Sequence, residues 1–95
     1  MNNEIYKKVQ NEKSQSLKLL ENIVNLESFS GSKKSVDQLS KYLSEVCTSL
    51  GGKNTFYPQE DLGDNFTSEF HSGEKTTLIL CHMDTVWPIG TLKER

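Results

Sequence analysis

Alanine is absent from these 95 residues, arginine occurs once, and proline and cysteine occur twice each. No apolar run approaches the roughly 18 residues that a membrane-spanning helix needs, which argues against an integral membrane protein. The opening MNNEIYKKVQNEK has no apolar stretch of the kind that an export signal requires. Cys47 and Cys81 are too few and too far apart for a disulfide scaffold or a paired-cysteine metal knuckle, so reduced thiols in the cytoplasm are expected. There is no excess of basic charge either. Eleven Lys and Arg against thirteen Asp and Glu leave a net charge of −2, which gives no electrostatic case for nucleic acid. Aromatic residues do not interleave with the lysines, so a stacking platform for single strands is missing too.

What is present suits one small domain with a modest core. The apolar share is 34%, roughly 40% with the six glycines counted, below the usual 45–50% or so. Eleven serines and a mean hydropathy of −0.60 point the same way. The negative balance lies in the second half, where residues 51–95 carry four positive and seven negative charges.

Two helical patterns open the chain. Residues 5–26 are expected to form one helix, with Leu17, Leu20, Ile23 and Val24 as its stripe and residues 1–16 as a solvated, fraying extension. In the second, Val36, Leu39, Leu43, Val46 and Leu50 recur at intervals of three and four. Ser32 or Ser35 stands where an N-cap belongs, and Gly51-Gly52 supplies the stop. Residues 27–32 (ESFSGS) form a loop by composition. Beyond Gly52 the texture becomes extended. Residues 53–57 (KNTFY) read as a strand, residues 65–70 (NFTSEF) as an edge strand, and residues 71–75 (HSGEK) as a hairpin turn around Gly73. Residues 76–81 (TTLILC) form an unbroken run with the signature of a strand buried on both faces.

Helices followed by short strands and one buried strand describe the opening of an α/β sandwich. A strand buried on both faces needs helices over both. Two helices precede it and none follows, the pattern of a chain cut short, with residues 1–95 forming an incomplete catalytic domain. Such a piece is expected to be poorly soluble, because its central strand would expose apolar faces and a pairing edge.

The residues with chemistry sit just past that strand, at His82 and Asp84. Two positions apart in extended backbone, they face the same way. They also lie beyond the carboxyl end of the strand, where open α/β sheets place ligands. An imidazole there can offer one nitrogen to a metal while a carboxylate holds the other, fixing tautomer and orientation. On these residues alone, a hydrogen-bonded histidine in a surface turn accounts for the pair more often than a metal site does.

The longer stretch, residues 78–91 (LILCHMDTVWPIGT), resembles the first metal-binding motif of the M20 family of zinc metallopeptidases, and within it the glutamate carboxypeptidase branch. Residues 19–28, the helix ending at Gly51-Gly52 and the Gly63-Asp64-Asn65 turn fall in that family's order, so the likeness runs along nearly the whole chain. It implies a three-layer αβα catalytic domain, with His82 as a zinc ligand and Asp84 as the acidic active-site residue that orients it. It also implies two zinc ions that activate water for amide hydrolysis, and a peptide or N-acyl amino acid as substrate. Trp87 and Pro88 would shape the loop beside the site. The family's other ligands, its catalytic glutamate and its dimerisation domain have no counterpart in this sequence. A catalytic zinc takes about three protein ligands, so the chain alone is expected to be inactive.

Other residues offer less. Cys81 reads as a buried core thiol and Cys47 as core packing; His71 reads as solvated. Glu60, Asp61 and Asp64 lack the spacing of a calcium loop. Ser72 near His82 has no nucleophile elbow around it. Two rival readings stay open: a stand-alone α/β binding module that uses its sheet edge, and a non-functional remnant of a degraded gene.

Overall fold

The computed structural model describes residues 3–71 and 73–94. Among these it is a small α/β arrangement. Three helices, α1 (Asn3–Asn11), α2 (Lys13–Asn25) and α3 (Lys33–Ser49), precede strands β1 (Lys53–Tyr57) and β2 (Asn65–Glu69), and a 3-10 turn follows at Thr91–Glu94. Among the described residues, no helix is long and apolar enough to cross a membrane.

The single helix expected over residues 5–26 is broken at Glu12, whose backbone turns to φ −95°, ψ 6°. Its N–H is shared between the Lys8 and Val9 carbonyls, both at 3.2 Å. The polar run 10–16 has no buried face to hold one axis through the break, and neither α1 nor α2 buries a residue. Asn22 of α2 donates to the Tyr42 hydroxyl of α3 at 3.0 Å.

The second helix follows its sequence closely. Ser32 caps α3 by accepting the Ser35 N–H at 3.3 Å. At the other end Gly51 takes φ +93°, the left-handed region where glycine has no Cβ penalty. Gly51 N–H then donates to the Thr48 carbonyl at 3.0 Å and Gly52 N–H to the Cys47 carbonyl at 2.8 Å, the two bonds of a Schellman stop. Val36 and Leu39 form the apolar core, and Ser40 and Ser44 are buried beside them. Leu50, expected in the stripe, is 70% exposed, because the helix has already ended beneath it.

Against α3 lies a two-stranded antiparallel sheet in the register Lys53↔Glu69 to Tyr57↔Asn65. Phe56 and Phe66 stand opposite each other with their rings stacked at 5.4 Å. The hairpin therefore joins β1 to β2 through residues 58–64. It is not the one expected at residues 71–75, of which Ser72 lies outside the described residues. Asp64 pins this loop. Its Oδ1 accepts from Lys33 Nζ at 2.8 Å and from the Gln59 N–H at 2.9 Å, while its own N–H donates to Asp37 Oδ1 at 2.8 Å. Lys33 also reaches Asp37 Oδ2 at 3.0 Å. The Lys33 ammonium, helped by the Gln59 N–H, holds the Asp64 carboxyl below the ordinary aspartate range.

The buried strand expected at residues 76–81 is not formed. The segment belongs to no strand, and Leu78, Ile79 and Leu80 are 80%, 80% and 89% exposed. Burial on both faces depends on layers above and below and on strands alongside; the described residues supply neither here. Cys81, expected in a core, is exposed for the same reason.

Candidate functional site

The unpaired segment still delivers His82 and Asp84 to a defined place. A five-residue stretch leaving α2 holds the chain on their far side. Thr85 N–H donates to the Ser28 carbonyl at 2.8 Å, and Ser30 N–H donates to the Thr85 carbonyl at 2.9 Å, an isolated parallel bridge between Phe29 and Thr85. Buried Ser28 adds its hydroxyl, donating to the Met83 carbonyl at 2.9 Å. Glu27 takes the next part of the chain, accepting from the N–H groups of Gly90 and Leu92.

His82 and Asp84 do come together, as the alternation of extended backbone predicts. His82 Nδ1 lies 3.6 Å from Asp84 Oδ1, with the imidazole 95% exposed and the carboxylate 39%. Ser30 Oγ stands 2.6 Å from Asp84 Oδ2 and 2.9 Å from the Thr85 carbonyl. Its one proton goes to the carboxylate, the stronger acceptor. That hydroxyl is the main reason the Asp84 carboxyl is held below the ordinary aspartate range; its own backbone N–H and nearby His82 act in the same direction. An ionised Asp84 beside Nδ1 favours the proton on that nitrogen, which leaves the Nε2 lone pair for a Lewis acid or a proton.

The donor set is short of a zinc centre. A catalytic zinc takes about three protein ligands, and among the described residues no three His, Cys, Asp or Glu side chains converge. The pair would offer one imidazole nitrogen at most, and does not by itself fit a zinc ion. Cys47 is half-buried. His71 is 88% exposed, 3.9 Å from Glu69. Trp87 N–H reaches Thr85 Oγ1 at 3.4 Å, and the Pro88 carbonyl accepts from the Thr91 hydroxyl at 2.6 Å, both bonds local to the residues that follow the pair.

Glu27, Ser28 and Ser30 hold the site and were legible in the sequence only as a polar loop. They meet their partners across 54 to 65 positions, as the pairs Ser30–Asp84 and Glu27–Leu92 show. No local spacing signals a contact at that separation. Compared with known proteins, the chain matches no family model, no curated protein and no solved structure. Fold and site together define a small α/β protein, with a two-stranded antiparallel sheet and an exposed histidine–aspartate pair.

Proposed function

We propose that these residues form the N-terminal portion of an M20-type zinc peptidase catalytic domain of three-layer αβα architecture, cytoplasmic and close to the glutamate carboxypeptidase branch. His82 is then a zinc ligand, and Asp84 is the carboxylate that fixes its tautomer. Zinc, when bound, would supply a Lewis acid and an activated water for amide hydrolysis. This chain's own contribution is to hold one imidazole in place with Nε2 free to coordinate. The remaining ligands must come from outside these residues, so the chain alone is inactive. The substrate class is a peptide or N-acyl amino acid, with release of a C-terminal glutamate. The observation that carries the reading is the Asp84 carboxylate, anchored by Ser30, beside the exposed His82 imidazole just past the uncharged residues 76–81.

A chimera tests it. Residues 17–95 replace the matching segment of an active glutamate carboxypeptidase of the M20 family, and zinc-dependent release of glutamate from a peptide is measured. Retained activity that His82→Ala abolishes and Asp84→Asn lowers by about 10–100-fold is expected, the usual cost of losing the partner of a metal-bound histidine. A folded, monodisperse chimera without activity would sink the proposal. The second reading, a stand-alone module that adds a partner strand along residues 76–81, is favoured by the exposure of Leu78 to Leu80. It predicts that same inactive chimera.

A further inference from the structure

The Glu27 carboxylate meets the 3-10 turn at Thr91–Glu94 through backbone donors alone. Gly90 N–H lies 3.1 Å from Oε1 and 2.9 Å from Oε2, and Leu92 N–H lies 2.9 Å from Oε1. These N–H groups open a helical turn, where no intrahelical acceptor is available to them. Backbone N–H donors to a carboxylate make charge-assisted bonds, stronger than those to a neutral acid. Lys93 adds attraction from the turn itself, while Ser35 and Gln38, which border the same cleft from α3, are uncharged. Residues 83–85 have their own bonds to Ser28 and Ser30. Between the two anchorages lies Trp87, the single tryptophan.

We propose that Glu27 is a proton-sensitive latch: ionised, its carboxylate pins Gly90 and Leu92 and closes the loop that follows the histidine–aspartate pair; protonated, it releases residues 86–92 and leaves the bridge at Thr85 intact. The N–H groups of Gly90 and Leu92 hold the Glu27 carboxyl below its ordinary value of 4.5. A carboxyl depressed on docking stabilises the docked form in full above its free value. That contribution is lost as pH falls through the docked value, so the latch opens below 4.5. This inference stands apart from the peptidase reading, because its readouts are a fluorophore and two amide protons.

The experiment is a titration of the full chain from about pH 7 to about pH 3, following Trp87 emission, helix content by far-UV circular dichroism, and the NMR shifts of the Gly90 and Leu92 amide protons. Below 4.5 the emission is expected to shift to the red while the helix signal holds. The two amide protons should share one midpoint with the Glu27 carboxyl carbon. Glu27→Gln should show the shifted emission already at neutral pH and lose the transition, and Asp84→Asn should keep it. The latch is overturned by an emission change that coincides with loss of helix, by amide midpoints that differ from that of Glu27, or by Glu27→Gln titrating like the parent. Because the amide protons are followed in the unaltered chain, a variant that failed to fold would not remove the test.

Discussion

At the scale of single residues, short polar side chains decide much of what this chain can do. Ser30 is one hydroxyl in a loop, yet it holds the Asp84 carboxylate that stands 3.6 Å from the exposed His82 imidazole. Ser40 shows the opposite case. It is 1% exposed, and its hydroxyl has no hydrogen-bond partner among the described residues. A buried hydroxyl left unpaired costs about 1–3 kcal/mol relative to one that is satisfied or absent, and alanine is the better residue within a helix. Ser40→Ala is therefore expected to stabilise the fold by about 1 kcal/mol, read as a rise in the urea midpoint with an unchanged slope. A fall in midpoint would mean that the hydroxyl is satisfied in solution.

At the scale of elements, α3 organises the molecule. Its N-terminal Lys33 and Asp37 grip the hairpin loop through Asp64, and Val36 meets that loop directly. The approach at Gly63 is so close that an added Cβ would run into the Cβ and Cγ1 of Val36. Gly63→Ala must push the loop off the helix and is expected to destabilise by about 1–3 kcal/mol, the usual range for overpacking. Equilibrium denaturation measures it; a neutral result would show that the loop does not rest on α3. The stop at Gly51-Gly52 and the spacing from Val36 to Val46 were legible in the sequence, because each depends on residues within a few positions; the cap was narrowed to Ser32 or Ser35, and the structure places it at Ser32. The break at Glu12 was not, since an exposed helix has no packing to record where its axis changes.

At the scale of the whole molecule, the packing is loose. The radius of gyration is 15.5 Å, against about 13 Å for a compact domain of 100 residues. Val36 and Leu39 are its fully buried apolar side chains among the described residues, while Leu78, Ile79 and Leu80 lie open. An exposed, uncharged segment with unpaired backbone is a template for pairing with another chain. Purified protein is therefore expected to sediment with a weight-average mass that rises with concentration. Ile79→Lys should suppress that rise, since an edge lysine blocks strand pairing. A monomer with a sharp, concentration-independent melting transition would contradict this, and would also favour a finished module over a portion of a larger domain.

The sequence by itself determined what depends on near neighbours. That covers the helix of Lys33–Ser49 with its stop, the two strands of the hairpin, and the shared side of His82 and Asp84. Periodicity and turn chemistry act over a handful of residues, so composition and spacing carry them. Only the tertiary structure decided that residues 27–30 clasp residues 83–92, that Asp64 is locked to α3, and that residues 76–81 stand uncovered. The apolar run at 76–81 states that the segment can be buried; whether it is depends on surfaces supplied from elsewhere. Likewise, contacts such as Glu27 to Leu92 close loops of more than sixty residues, and loop closure at that length leaves no trace in local pattern.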